Sequence, residues 1–101
     1  MKRVANKKPL VTVITPAYNA EKFIVEAIDS VLNQTYKEFE YIIIDDCSTD
    51  KTLKIAQTYA KKDKRVRVYK NEKNLGIAGN RNKGVSLAKG KYIMWQDADD
   101  I

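Results

Sequence analysis

The chain has 101 residues, 44% of them hydrophobic, which suits one domain or part of one built on a single modest core. Its formal net charge of +6 favours anionic partners such as nucleotides, lipid headgroups or nucleic acid. With no histidine and one cysteine, Cys47, an internal disulfide, Ser-His-Asp hydrolysis and the common zinc ligand sets are all excluded.

Chemistry is thereby left to carboxylates, Arg, Lys, Tyr and backbone groups. The longest apolar run, Ile42-Ile43-Ile44 beside Tyr41, is far short of the roughly 20 residues of a bilayer crossing. The basic tail of residues 1–8 lacks an apolar segment of signal-peptide type, so a cytoplasmic location is expected, with peripheral contact at the inner face of the cell membrane as a variant of it. The lysines are spread over what read as polar helix faces, without interleaved aromatic residues. A solvated basic surface is therefore expected, and no nucleic-acid partner.

In chain order, Leu10 to Thr15 is a β-branched strand that Pro16 should stop, because proline cannot donate a backbone hydrogen bond to a sheet. From Glu21 to about Gln34, Phe23, Ile24, Ala27, Ile28, Val31 and Leu32 recur at helical spacing. Phe39 to Ile44 is dense in aromatic and β-branched residues without polar alternation, as in a central strand covered on both faces. Asp45 to Asp50 is rich in helix-capping residues, and a second helix should begin near Asp50 or Lys51. Arg65 to Lys70 alternates like a strand near a sheet edge. Ile77 to Ala88 carries a weaker helical pattern, with Gly90 placed as its C-cap glycine, and Lys91 to Gln96 is the last strand.

This β-α-β-α-β-α-β order predicts an α/β fold: a Rossmann-like parallel sheet with helices on both faces and strand order 3-2-1-4. Ligands bind such sheets at the carboxyl ends of the strands beside the switch point, here between strands 1 and 4. Tyr18, Asp46, Asp97 and Asp99 all fall at that edge. In Asp97-Ala98-Asp99-Asp100, carboxylates at alternate positions suit Mg²⁺ or Mn²⁺ with open positions for phosphate oxygens. The simpler alternative is a group of solvated acids. Asp46 can accept a hydrogen bond from a base N–H of uracil or guanine, or it can merely cap a helix. Tyr18 can stack on a base or pack at the core edge. Arg81 can pair with phosphate or remain a surface charge.

Taken together, Val13-Ile14-Thr15-Pro16-Ala17-Tyr18-Asn19, Ser30 to Thr35, Ile44 to Asp50, Asn74-Leu75-Gly76 to Gly84, and Asp97-Ala98-Asp99-Asp100 resemble family 2 glycosyltransferases. The resemblance runs from Leu10 to the end and implies the N-terminal, nucleotide-sugar-binding half of a GT-A fold, with residues 9–101 forming that partial domain. It implies that Pro16, Ala17, Tyr18 and Asn19 border the nucleotide, that Tyr18 contacts the base and Asp46 its edge, and that Arg81 approaches the diphosphate. Asp97 would lie by the ribose and diphosphate, with Asp99 as principal metal ligand. The family transfers a sugar from a nucleoside diphosphate, UDP or GDP, with inversion, in polysaccharide or glycan synthesis. Its catalytic base lies downstream of the metal motif, so this chain is expected to bind donor without turning over and to self-associate through an open sheet edge. The rival reading is a non-catalytic nucleotide- or protein-binding module. Cys47 stands where Gly is common, Asn80 where a small residue is usual, and Gln96 where an apolar one is frequent.

Overall fold

The computed structural model describes residues 9–34 and 36–98; the basic tail and the expected metal ligand Asp99 lie outside them. The elements alternate without exception: β1 (Val11–Ala17), α1 (Ile24–Leu32), β2 (Phe39–Asp45), α2 (Thr52–Lys62), β3 (Val66–Lys70), α3 (Gly76–Leu87) and β4 (Tyr92–Trp95). All three strand pairings are parallel and the order is β3-β2-β1-β4, as expected from right-handed crossovers.

Alternation along the strands divides the core into two layers. Val13, Tyr41 and Ile43 point to one face and meet Ile24, Ala27, Ile28 and Val31 of α1 and Ala56 of α2. Ile14, Ile42 and Ile44 point to the other and meet Leu87 of α3. β2 is buried over its whole length, which explains its nearly continuous apolar sequence. Besides Asp45 at its end, the exception is Glu40, opposite Thr12 in the β1–β2 register. Its Oε2 accepts from the Thr12 hydroxyl and the Lys89 N–H, both at 2.6 Å, while Oε1 has no hydrogen-bond partner and lies 4.0 Å from the Arg67 guanidinium.

Two expectations need correction. β1 does not stop before Pro16 but continues to Ala17. The Ile14 carbonyl accepts from Gln96 N–H, whereas that of Ala17 accepts from Asp46 N–H, so even-numbered backbone groups of β1 face β4 and odd-numbered ones face β2. Pro16 therefore lacks its donor on the β4 side, where pairing has already ended at Ile14↔Trp95, and the ladder to β2 runs on undisturbed. Gly90 is not a helix cap either. α3 ends at an extended Ala88, and Gly90 sits against Thr12, where a Cβ would come within 2.6 Å of the Thr12 backbone nitrogen. α1 begins three residues after and ends two residues before its expected bounds, and α2 begins one or two residues after its expected start.

At the other end of the sheet, Arg65 immediately precedes β3, with its guanidinium on both oxygens of Asp63 and 4.6 Å over the Phe39 ring. The Arg65 hydrogen bonds hold the Asp63 carboxyl below its ordinary range. A depressed folded pKa contributes stability that is full above the unfolded value of about 4 and is lost as pH falls through the folded one. Asp63→Asn is thus expected to lower the Tm at about pH 7, with the difference from the parent chain shrinking as pH falls below about 4, read by thermal unfolding across that range. Among the described residues no helix is long and apolar enough to cross a membrane.

Candidate functional site

Because the strands are parallel, β1, β2 and β4 deliver their C-terminal loops to one edge, where the first turns of α3 close over them. There Pro16, Ala17, Tyr18, Asp46, Arg81 and Asp97 line an open cleft of about 390 Å³. That volume lies within the roughly 300–1,000 Å³ typical of small-molecule sites. Six of the seven expected nucleotide-site residues are brought together. The seventh, Asn19, does not line the cleft. It sits at φ 48°, and its side-chain oxygen accepts from Thr49 N–H (2.8 Å) while its own N–H donates to the Ser48 hydroxyl (2.8 Å). Asn19 thus ties the loop after β1 to the loop after β2.

The aspartate that ends β2, Asp45, and the one that follows it, Asp46, do different work. Asp45, fully buried, accepts from Ser48 N–H and shapes its own loop. The start of α2 is served by Asp50, whose carboxylate accepts from the hydroxyl and N–H of Thr52 and from Glu21 N–H. Burial pushes the Asp50 carboxyl upward, but these donors outweigh it and the net displacement is downward. Asp46 reaches across to α3 instead. Its Oδ1 accepts from Asn71 Nδ2 (2.8 Å) and Leu75 N–H (2.7 Å), and its Oδ2 from Gly76 N–H (3.0 Å). A carboxylate offers about four acceptor positions, so one at Oδ2 remains for a further donor.

Behind Asp46 lies a polar network. The Asn71 amide bridges Asp46 and the Asn80 carbonyl, and Asn80 in turn donates to the Ile44 carbonyl at 3.2 Å. Asn80 shares the sheet-facing side of α3 with Gly84 and Leu87. It and Asn74, Gly76 and Ile77 complete the cleft lining, and none was expected there. A polar residue at an otherwise core-facing helical position was the available signal for Asn80.

On the opposite wall, Arg81 Nη2 donates to Asp97 Oδ1 at 3.0 Å, and the guanidinium lies 4.6 Å from the centroid of the Trp95 ring. The chain after β4 is anchored by Ala98, which is 1% exposed and packs into the α1-side core with Ala17 and Ala20. That burial turns Asp97 into the cleft. Tyr18 stands half exposed at the rim, its ring available to a planar ligand. Among the described residues no group of three or more Asp, Glu or Cys side chains converges. Asp97 is the exposed carboxylate of the cleft, which fits an ion such as Mg²⁺ that takes one or two carboxylates and fills its shell with water and phosphate oxygens.

Comparison with known proteins identifies the family and the fold. The chain is 48% identical over 97 residues to a putative teichuronic acid biosynthesis glycosyltransferase of Bacillus subtilis, TuaG, an alignment covering 96% of this chain and 38% of that protein. Its structure superposes with a TM-score of 0.81 and 38% identity on S. aureus TarS 1-349 in complex with UDP-GlcNAc, covering 88% of this chain and 26% of that one. It superposes with a TM-score of 0.82 and 28% identity on the mannosyltransferase PcManGT of Pyrobaculum calidifontis in complex with GDP-Man and Mn²⁺, covering 93% and 28%. The chain therefore spans 26% to 38% of the length of these three proteins. The fold is that of GT-A glycosyltransferases. Residues 12–101 match the family described as "Glycosyl transferase family 2", and the chain belongs to that family.

Proposed function

We propose that the chain carries the donor site of an inverting, metal-dependent glycosyltransferase that takes a UDP- or GDP-linked sugar and serves polysaccharide or glycan synthesis. The observation that carries this reading is the convergence of Tyr18, Asp46, Arg81 and Asp97 on one cleft at the carboxyl edge of the sheet. The nucleotide sugars bound by TarS and PcManGT, and the biosynthetic role in TuaG's name, support it.

Each residue has work that its surroundings suit. Asp46 keeps one acceptor position for a base N–H, so uracil and guanine, with a ring N–H, are favoured over cytosine, whose corresponding nitrogen is an acceptor. Tyr18 offers a stacking face. Arg81 supplies the forked donor that phosphate oxygens accept. Asp97, with Asp99 beyond the described residues, holds Mg²⁺ or Mn²⁺, which when bound neutralises charge on the departing diphosphate. Asp46 is engaged by three donors and Asp97 by Arg81, so these residues bind donor and neither is assigned the deprotonation of an acceptor hydroxyl.

Calorimetric titration of the chain with UDP, GDP and CDP, with and without Mn²⁺, tests the reading. UDP or GDP is expected to bind in a Mn²⁺-dependent manner, CDP to bind at least about tenfold more weakly, and Asp99→Ala to abolish that binding. Metal-independent binding that survives Asp99→Ala would replace the transferase donor site with a simple nucleotide-binding module.

A further inference from the structure

Arg81 is held twice in the cleft, by the 3.0 Å bond to Asp97 and by the face of Trp95. Resting on the proposed donor-site reading, we infer that the Arg81–Asp97 pair is an exchangeable clasp: Arg81 passes from Asp97 to the diphosphate as Asp97 is released to the divalent cation, and Trp95 positions the guanidinium for the transfer.

Charge couples the two moves. A guanidinium at 3.0 Å from a carboxylate oxygen cancels the charge that would attract a cation, and its own positive charge repels a dication brought to the same oxygen. A cation arriving alone must therefore displace Arg81 into water and leave it without a partner. A diphosphate arriving with it gives Arg81 a new anionic partner. The clasp is neutral, and a divalent cation with the two negative charges of a nucleotide sugar's diphosphate is neutral as well, so the exchange leaves the net charge of the cleft unchanged. By linkage, cation and diphosphate must each raise the other's affinity by the same factor.

Two further features suit an exchange rather than a fixed strut. The side chains of Arg81 and Asp97 are 37% and 57% exposed, and an ion pair so open to water costs little to part. Trp95, the chain's only tryptophan, offers Arg81 an aromatic face at the end of an exposed strand, a contact it can retain as Arg81 changes partner.

Free Mn²⁺ counted by electron paramagnetic resonance, in the full chain and in Arg81→Gln and Arg81→Lys, tests the clasp. Without nucleotide, Arg81→Gln is expected to bind Mn²⁺ at least about fivefold more tightly than the parent, whereas Arg81→Lys, which keeps the charge, stays within about twofold of it. A merely structural effect would move both variants alike. UDP, whose phosphate oxygens also ligate the cation, should tighten Mn²⁺ binding in both chains, but by a factor at least about threefold smaller in Arg81→Gln than in the parent. Trp95→Ala should weaken UDP about threefold, with Trp95→Phe restoring it. Mn²⁺ affinity that is unchanged or lower in Arg81→Gln, with UDP still binding the parent, would overturn the clasp and leave the donor site standing. A parent chain that binds neither Mn²⁺ nor UDP would overturn both.

Discussion

Asp46→Ala is expected to abolish measurable UDP binding and to destabilise the fold by about 3 kcal/mol, the largest combined effect of any single change at the cleft. The side chain is 3% exposed and holds the beginning of α3 through Leu75 and Gly76. Removing it leaves the Leu75 N–H and one hydrogen of the Asn71 amide without their charged acceptor, and each such loss costs about 1–3 kcal/mol. Gly76 N–H is partly protected, because the Asn74 side-chain oxygen also accepts from it at 3.0 Å. Loosening this end of α3 also displaces Arg81, so the diphosphate contact weakens together with the base contact. Asp46→Asn retains the shape but sets an NH₂ group against one of the donors, and should cost less stability, about 2 kcal/mol, while still failing to bind UDP. Urea unfolding would read the first effect as a midpoint lowered by roughly 2 M, and calorimetry the second. A stable Asp46→Ala chain would show that α3 is held by something else. Destabilisation with UDP affinity intact would remove Asp46 from base recognition.

Asp46 also marks the boundary of what sequence reading reaches. The sheet order was legible because it follows from four β-branched runs separated by helical spacings, together with the handedness of parallel crossovers. The convergence of Tyr18, Asp46 and Asp97 was legible for the same reason: strand ends in a parallel sheet share an edge, whereas Arg81, on α3, was expected there from the family resemblance. Which helix Asp46 would serve was not. Nothing local to Asp45-Asp46 indicates partners 29 and 30 residues away at the start of α3, and the adjacent helix α2 is served by Asp50 instead. The Asn71–Asn80 network escaped for a related reason, since the Asn71 amide N–H reaches the Asn80 side-chain oxygen only once α3 is docked beside the end of β3. Asn19 was grouped with its neighbours by motif, yet its left-handed φ of 48° turns its side chain toward Thr49 and away from the cleft. Cys47 is the converse case. Glycine is common at that position in the family, and the φ of 65° there gives the physical reason, a left-handed conformation that costs little without a Cβ.

Gly90 was misjudged for an energetic reason, and Gly90→Ala is expected to cost about 3 kcal/mol even though the residue lies at the far end of β4 from the cleft. Its φ is not left-handed, so conformational freedom is not the issue. A methyl group there would lie 2.6 Å from the Thr12 nitrogen, 2.7 Å from the Thr12 hydroxyl and 2.7 Å from the Val11 carbonyl carbon. Two of those three atoms belong to the backbone of a central strand and cannot turn aside. Relief must come from moving the start of β4, which is pinned by Gly90 N–H on the Thr12 hydroxyl, by Lys91 and Tyr92 N–H on the Leu10 carbonyl, and by Lys89 N–H on buried Glu40. β4 pairs with β1 over only four registered positions, from Val11↔Tyr92 to Ile14↔Trp95, so a displacement at one end is transmitted to Trp95 and Asp97 at the other. UDP affinity is therefore expected to fall about tenfold along with the Tm. Adding Thr12→Ala removes the hydroxyl contact but neither backbone contact, so it should fail to rescue either quantity. A Gly90→Ala chain that melts with the parent would mean that β4 is free to slide on β1, and the geometry that sets Asp97 against Arg81 would then need another source.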